Sequence, residues 1–347
     1  MEQTHSPLLN DDGRWNYSTI LDEAFLGPSV HPREFDVDCV FFLILAVVGF
    51  LLASITVLAN SVLLFIIFRD TRRFLQTPPS FLITNLCVSD LIVGFIVDNL
   101  VGVKDLYRYH NLPVPDHLDP VLRLFLGLSL FVSSGTIIAL SYDRFVVVTH
   151  PLKYKSTMTI ERVKIFIALL WSTSLALCFL PVAKIPERIL AITVAHIHAS
   201  LPAVVLTAMY IKVFRALGKR KLELRDAGIT SEMRPKKALD RERKMVVTIL
   251  IVLALFYVTY LPEFIALHIL HFCEPSARSS AFRIAEIVLS RLLFVNSAMN
   301  PFVYSWRLQK YRKALIDNFK LPRLCLCKMC VTSRKFCSQK ETKKPNV

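Results

Sequence analysis

An acid and an arginine stand side by side in Asp143-Arg144-Phe145, directly after an apolar run from Val121 to Leu140. On insertion scales an arginine at the centre of a membrane costs about 2.5–3.5 kcal/mol, so a charge at or within a span marks function unless a partner explains it. The chemistry open to this pair is ion pairing. We therefore expect Arg144 to be held by an acid, and Asp143 is its nearest candidate.

A second intramembrane charge is predicted at Asp90, in the middle of another apolar run. An unpaired carboxylate is costly there, so Asp90 needs a cation, a proton or polar neighbours. The candidate neighbours are Ser133, Asn296, Ser297 and Asn300.

The elements that must position these groups are membrane helices. The chain has 347 residues and is 54% hydrophobic, with a mean hydropathy of +0.48, which is too apolar for an ordinary soluble domain. A run of about 20 apolar residues is what a helix needs to cross a bilayer. Seven such runs are present, at 39–68, 80–103, 121–148, 163–181, 189–214, 245–270 and 282–306. They predict an all-α membrane protein, a bundle of seven transmembrane helices.

Positive residues predict the orientation of this bundle. Of the 42 Lys and Arg residues, 32 lie in alternate segments, starting at Arg69, Arg144 and Lys212 and after Trp306. Such residues stay in the cytoplasm, so we predict a multi-pass plasma-membrane protein with its N-terminus outside and its C-terminus inside. The net charge of +15 then reflects topology and contact with anionic membrane lipids. No soluble basic domain is present to bind nucleic acid.

Four regions follow from this topology. Residues 1–38 form a polar extracellular tail, and 39–306 form the seven-helix domain. Residues 307–320 are predicted to form an amphipathic helix on the membrane surface, because apolar residues recur there at helical spacing. Residues 321–347 form a cytoplasmic tail.

Covalent modification is predicted at three places. Asn16-Tyr17-Ser18 is a sequon on the outer side, which predicts glycosylation. Cys39 and Cys273 are the outer cysteines placed to form a disulfide, with two free thiols as the alternative. Cysteines of the cytoplasmic tail suit palmitoylation, with unmodified thiols or a zinc knuckle as alternatives; they are Cys325, Cys327 and Cys330.

Prolines within the predicted spans mark places where a helix can bend. Pro202, Pro262 and Pro301 each remove a helix hydrogen bond and add a steric clash. Phe256 and Tyr260 lie one turn apart on the same helix face. They are positioned to couple a ligand to the bend at Pro262, unless they serve packing alone.

The motifs in order along the chain resemble those of a known family. They are Asn60, Asp90, Asp143-Arg144-Phe145, Trp171, Pro202 with Tyr210, Phe256 with Pro262, and Asn300-Pro301-Phe302-Val303-Tyr304. This set, with one or more hallmark residues in each span, resembles the rhodopsin-like (class A) G protein-coupled receptors. Single matches are weak, whereas seven in order in seven helices are specific.

The resemblance implies a receptor and not an enzyme. An extracellular small-molecule, lipid or peptide ligand would shift a two-state bundle, and outward movement of the sixth helix would activate a heterotrimeric G protein. Arrestin is a further implied partner. The family's equivalent of the Asp90 cluster binds sodium, so an allosteric sodium ion is implied here and no other cofactor; a protonated Asp90 is the alternative.

The family's switch maps onto named residues of this chain. Glu242 matches the acid that latches the third helix to the sixth through Arg144; pairing of Glu242 with its basic neighbours in water is the alternative. Opening would free Arg144 to act with partners on other helices. The switch residues are Asp143, Arg144, Phe145, Tyr210, Glu242, Asn300, Pro301 and Tyr304.

Three positions depart from the family pattern. Tyr260 replaces a tryptophan, Ser134 replaces a bulky aliphatic between Pro202 and Phe256, and Phe145 replaces a tyrosine. These departures keep open a receptor-like protein with constitutive or no G protein activity. A seven-span metallohydrolase or a transporter is a more distant alternative, because no paired catalytic carboxylates or repeated halves are found; no metal other than sodium is predicted.

The predicted ligand pocket lies in the outer halves of the spans. Glu263 is placed to contact a cationic group and Arg123 or Arg291 an anionic one, unless Glu263 and Arg291 pair with each other. Leu126 stands where monoamine receptors carry an aspartate, and Asp119 where the family's disulfide cysteine stands. The chain thus resembles the melanocortin, lysophospholipid, cannabinoid and adenosine receptor group, with the ligand unassigned. The pocket candidates are Asp98, Asn99, Arg123, His198, Glu263, Ser290 and Arg291.

Overall fold

The computed structural model describes residues 39–70, 74–178, 192–226, 234–273, 279–307 and 309–319. In these residues seven long helices are followed by one short helix, and no strand is found among them, which confirms the predicted all-α fold. The helices are α1 Cys39–Arg69, α2 Pro78–Tyr109, α3 Leu118–Thr149, α4 Ile160–Cys178, α5 Leu201–Asp226, α6 Arg234–Phe272, α7 Ser280–Arg307 and α8 Gln309–Phe319. "Inner" and "outer" below refer to the orientation predicted from the positive residues.

Length and apolarity alone single out four of the described helices as able to cross a membrane: α1, α2, α3 and the stretch Leu201–Lys219 of α5. A shorter apolar stretch, Leu253–Ile269, lies in α6. Helix α7 carries Arg283 and Glu286, which are 4% and 2% exposed, so the bundle takes these charges inward. The interior of the bundle is where charged residues of a membrane helix are expected to lie.

Helix α3 lies at the centre of the bundle. In its most apolar window 67% of the residues are buried, against 28% in α1. Helix α3 packs on α2, α4, α5 and α6, whereas α1 packs on α2 and α7 and keeps an apolar outer face. The acid and arginine at the inner end of α3 are therefore surrounded by other helices.

Two π-helical turns interrupt the regular helices. One, Val93–Val97, lies within α2, where the Asn99 side chain donates to the carbonyl of Gly94 at 2.9 Å and offsets the irregular bonding. The other, His196–Ser200, precedes Pro202, whose missing N–H and ring disturb the preceding turn. Both turns lie on the outer side of the bundle.

Helix α8 is present where the sequence predicts an amphipathic segment. Tyr311 is buried with its ring centroid 4.9 Å from that of Phe74, and Lys310 Nζ lies 4.6 Å from the Phe74 centroid. Burial raises the pKa of the Tyr311 phenol, which therefore stays neutral. These contacts fix α8 against the inner loop between α1 and α2.

The predicted disulfide is wrong: Cys39 and Cys273 are both free thiols in the structure. Cys39 Sγ instead accepts a hydrogen bond from Asn111 Nδ2 at 3.6 Å, next to the left-handed φ of 53° that Asn111 adopts. The topology placed both cysteines on one side of the membrane but gave no information on which outer segments meet. Asn16 and the palmitoylation candidates Cys325, Cys327 and Cys330 lie outside the described residues.

Candidate functional site

At the inner end of α3, Arg144 and Asp143 form an ion pair with each other, and both are buried. Asp143 Oδ1 also accepts a hydrogen bond from the Tyr154 hydroxyl at 2.9 Å. Tyr154 begins the helical turn Tyr154–Thr157 that follows α3. Burial, and then the charge and hydrogen bond of Asp143, raise the pKa of the Tyr154 phenol, so it remains a donor. Sequence reasoning missed Tyr154, because nothing in the loop sequence shows that it turns back onto α3.

The other switch residues lie around this pair to different degrees. The Tyr210 and Ser141 hydroxyls are 3.2 Å apart across α5 and α3. Tyr304 is buried, and its hydroxyl has no hydrogen-bond partner among the described residues. Glu242 lies on α6, but its side chain is outside the described part of the chain, so the latch to Arg144 stays a prediction.

Phe145 lies next to the ion pair in the sequence and takes no part in it. It is half-buried, and its ring centroid lies 6.3 Å from that of Tyr142 in a stacked arrangement. The Phe145 ring therefore packs against Tyr142 on its own helix.

The polar core in the middle of the bundle centres on Asp90. Asn300 Nδ2 donates to Asp90 Oδ2 at 2.9 Å, and Asp90 is fully buried. Ser133 bonds instead to Ser89, with their hydroxyl oxygens 2.9 Å apart. Acceptor oxygens in this layer have no hydrogen-bond partner among the described residues; they are Asp90 Oδ1, Asn60 Oδ1, Asn296 Oδ1 and Asn300 Oδ1. Ser297 contributes its carbonyl, which accepts from Asn60 Nδ2 at 3.2 Å.

A second polar link joins three helices beside this core. Trp171 Nε1 on α4 donates to Asn85 Oδ1 on α2 at 2.8 Å, and Asn85 Nδ2 donates to Thr136 Oγ1 on α3 at 2.8 Å. The sequence singled out Trp171 alone. Its partners are recognisable only as polar residues within apolar runs, a signal that many packing positions share.

The transmission residues connect the outer half to the core. The Phe256 and Tyr260 rings stack with centroids 4.1 Å apart and planes 18° apart. Pro262 lies inside α6, and Pro301 lies inside α7. Thr259 donates to the carbonyl of Phe256 at 3.0 Å, one turn before the proline. The aromatic pair predicted on one face of α6 is therefore in contact.

Two further members of this group have local roles in the structure. Ser134 is buried and donates to the carbonyl of Phe131, 3.2 Å away on its own helix. Pro202 is buried in α5 just after the π turn.

The outer half contains a buried ionic network that the sequence did not predict. Lys104 pairs with Asp119, which ties the outer end of α2 to α3. Asp105 accepts from Arg108 Nη1 at 3.1 Å and from Arg291 Nη2 at 3.0 Å. Arg291 therefore has Asp105 as its ion-pair partner, and pairing with Glu263 is not what the structure shows. The spacing of Asp105 and Arg108 on one helix face was the available signal.

Two carboxylates in this region contrast with the paired ones. Asp98 is 1% exposed, and neither of its carboxylate oxygens has a hydrogen-bond partner among the described residues. Glu263 is 7% exposed, and its Oε2 likewise lacks one. Glu263 borders a small cavity of about 20 Å³, room for a single water. The cavity is lined by Ala195, Ala199, Tyr260, Glu263, Phe264, Leu267 and Leu293.

The remaining pocket candidates have local structural roles, or their side chains lie outside the described part of the chain. Asn99 caps the π turn of α2, and Ser290 donates to the carbonyl of Ile287 on its own helix at 2.8 Å. Arg123 is half-buried on α3. The backbone of His198 lies in the π turn that precedes α5, and its side chain is outside the described part of the chain.

A helical membrane bundle with a buried Asp-Arg pair at the inner end of α3 and a polar core around Asp90 defines the class of seven-helix receptors. Residues 59–187 and 184–304 match the family "7 transmembrane receptor (rhodopsin family)", and the chain belongs to that family. It is therefore a multi-pass plasma-membrane receptor that acts through G proteins and is not an enzyme.

The relatives that resemble the chain have different ligands in their names. Melanocortin receptor 5 of Pan troglodytes is 27% identical over 250 residues, covering 69% of this chain and 73% of the relative. Galanin receptor type 1 of Rattus norvegicus is 22% identical over 330 residues, covering 87% and 88%. G-protein coupled estrogen receptor 1 of Homo sapiens is 25% identical over 305 residues, covering 80% and 73%. These similarities support the receptor class and leave the ligand open.

Proposed function

We propose that this receptor is switched by an extracellular ligand with a cationic group, which contacts Asp98 and Glu263 in the outer half of the bundle. The observation that carries the proposal is the difference between paired and unpaired charges there. Lys104 and Arg291 already have acids as ion-pair partners, whereas Asp98 and Glu263 are buried without hydrogen-bond partners among the described residues. A buried carboxylate without a partner is costly, and a ligand cation would offset that cost.

The ligand signal would pass inward along α6. Tyr260 borders the same small cavity as Glu263 and stacks on Phe256. Ligand binding would enlarge this cavity, because 20 Å³ is far below the several hundred cubic ångströms of usual ligand pockets. The displacement of Tyr260 would change the bend at Pro262 and shift the inner half of α6.

At the inner face, we propose that this shift breaks a latch between Arg144 and Glu242. The helix would then move outward and admit the heterotrimeric G protein, with arrestin as a second partner for the same face. Support comes from the burial of Arg144 and from the free hydrogen-bonding capacity of the Tyr304 hydroxyl. The orientation, with the N-terminus outside, rests on the distribution of Lys and Arg.

A sodium ion is proposed as an allosteric ligand of the polar core. Asp90 Oδ1, Asn296 Oδ1 and Asn300 Oδ1 are buried acceptors without hydrogen-bond partners in the described residues. A hard cation prefers oxygen ligands of this kind. A bound cation would also neutralise the buried carboxylate, which favours the arrangement in which Asp90 and Asn300 are in contact.

The ligand proposal is tested with cells that express the full-length receptor and carry cAMP, calcium and G protein dissociation reporters. Amine and basic peptide libraries are compared with lipid, nucleoside and acidic peptide libraries. We expect activation by a cationic compound, with a loss of about 10- to 100-fold in potency for Asp98→Asn and for Glu263→Gln, because each removes one charged contact. Asp116→Asn, at an exposed acid of the outer loop, is the matched control and should leave potency unchanged. Activation by neutral or acidic compounds alone, at equal potency in the two pocket variants, would contradict the proposal.

A further inference from the structure

Two histidines from different helices meet in the outer half of the bundle, and we propose that they form a binding site for a zinc ion. His196 Nε2, in the π turn before α5, lies 3.4 Å from His268 Nε2 on α6. Zinc–nitrogen bonds of about 2.0–2.1 Å in tetrahedral geometry place two ligand nitrogens about 3.3–3.4 Å apart. The ring nitrogens are thus separated as the ligands of one zinc ion would be.

The other nitrogen of each ring is already occupied. His268 Nδ1 lies 2.7 Å from the carbonyl oxygen of Phe264, which can only accept, so Nδ1 carries the proton and Nε2 presents a lone pair. His196 Nδ1 lies 2.9 Å from the Ser200 hydroxyl, which can accept its proton. Outer contacts of this kind orient histidine ligands in metal sites.

Aromatic packing holds the two rings in place. The Phe264 centroid lies 4.2 Å from that of His268 and 5.3 Å from that of His196. Because the ring positions are fixed by Phe264 and by the Nδ1 contacts, little ordering is needed when an ion binds. Without a metal, one proton shared between the two Nε2 atoms accounts for their separation, and zinc would replace that proton.

The ion would complete its coordination with water. His196 is exposed in the structure, which leaves room beside the pair for further ligands of the ion. The described residues contain no group of three histidine, cysteine, aspartate or glutamate side chains that could hold a metal ion. The sequence predicted no metal other than sodium; the structure adds the contact between His196 and His268, which lie on different helical segments.

A zinc ion here would join α5 to α6 on the outer side of Pro262. Glu242 lies on the opposite, inner side of the same proline. An ion that binds one arrangement of the two helices more tightly shifts the population toward that arrangement. The site would therefore act as a regulatory site, independent of whether Asp98 and Glu263 bind the signalling ligand.

The test measures zinc binding by the purified full-length receptor in a chelator-free buffer. At zinc concentrations about 100 times the Kd, a ligand of the folded state should raise the Tm by several degrees, and EDTA should reverse the rise. His196→Ala and His268→Gln should lose the rise, whereas His268→Cys, which supplies another zinc ligand, should retain it. Magnesium should have no effect.

The control variant is His117→Ala, at an exposed histidine of the outer loop, which should respond as the unaltered receptor does. Cobalt absorption gives a second readout for any variant with a low Tm, because the ligand-field bands report direct coordination. An equal zinc response in His268→Gln and the unaltered receptor would show adventitious binding elsewhere and overturn the proposal. Absence of both the Tm rise and the cobalt bands in the unaltered receptor would overturn it as well.

Discussion

Tyr154 illustrates what single residues contribute to the inner face. Its hydroxyl donates to Asp143, which also pairs with Arg144, so two side chains share one buried carboxylate. The sequence predicted the acid and the arginine because charges stand out in an apolar run. It could not predict Tyr154, since the fold of a short loop decides which of its hydroxyls reaches back to the helix.

We expect Tyr154→Phe to lower the stability of the receptor by about 1.5 kcal/mol, because a hydrogen bond to a charged acceptor is lost. Thermal unfolding of the purified receptor measures this as a lower Tm. Tyr142→Phe, at an exposed tyrosine on α3, is the matched control and should leave the Tm unchanged. A Tm equal in the two variants would mean that the Tyr154 hydroxyl contributes nothing to stability.

The sequence predicted which residues form the polar core around Asp90, but not all of the contacts among them. The contact between Asp90 and Asn300 expected from the sequence is present, but Ser133 contacts Ser89 instead. All five predicted residues are polar and lie in spans, so their residue types predicted that they belong to one polar region of the bundle. Rotamers and helix rotation, which single-sequence patterns do not contain, decided the pairs.

Replacing potassium chloride by sodium chloride at equal ionic strength should raise the Tm of the unaltered receptor. The same exchange should have no effect on Asp90→Asn, because the neutral amide gives a cation no charge to pair with. Thermal unfolding in the two salts is the measurement. Equal Tm values for the unaltered receptor in sodium and potassium would exclude a selective sodium site.

At the scale of elements, the apolar runs predicted the helices well and their irregularities poorly. The structure places α1 at Cys39–Arg69 and α3 at Leu118–Thr149, close to the runs at 39–68 and 121–148. No proline lies near the π turn of α2, so the sequence did not predict this turn. The tie between α2 and α3 through Lys104 and Asp119 was also missed, because Asp119 was considered only as the replacement of a cysteine.

Close packing of α1 on α2 gives a prediction at this scale. A Cβ at Gly94 would lie 3.0 Å from Thr56 Cβ and 3.0 Å from Val57 Cγ2, closer than ordinary contact. We expect Gly94→Ala to destabilise the receptor by about 1–3 kcal/mol through overpacking. Thermal unfolding again provides the measurement.

Gly218→Ala is the matched control for this substitution. Apart from its chain neighbours and the nearby backbone of its own helix, no atom lies within 4 Å of a Cβ at Gly218, so this variant should be neutral or up to about 1 kcal/mol more stable through helix propensity. The difference between the two glycine variants isolates the steric effect at the α1–α2 contact. Equal stability of the two would show that α1 moves away from α2 at no cost.

At the scale of the whole molecule, the chain is a receptor whose charges form three layers. The outer layer holds Asp98 and Glu263, the middle layer Asp90, and the inner layer Asp143 with Arg144. The receptor class was predictable, because length, apolarity and ordered motifs constrain the entire bundle. The ligand was not, because it depends on which outer charges neutralise each other, and the structure pairs Arg291 with Asp105 and not with Glu263.

The most direct test of the account is the rate of nucleotide exchange that the purified receptor induces in purified G proteins without added ligand. We expect Glu242→Ala to raise this basal rate, because it removes the acid that holds α6 to Arg144, and Arg144→Ala to abolish it. The exposed acid variant Glu161→Ala, at the start of α4, should behave as the unaltered receptor does. An unchanged basal rate in Glu242→Ala, measured at equal amounts of folded receptor, would contradict the latch and with it the proposed route from the ligand to the G protein.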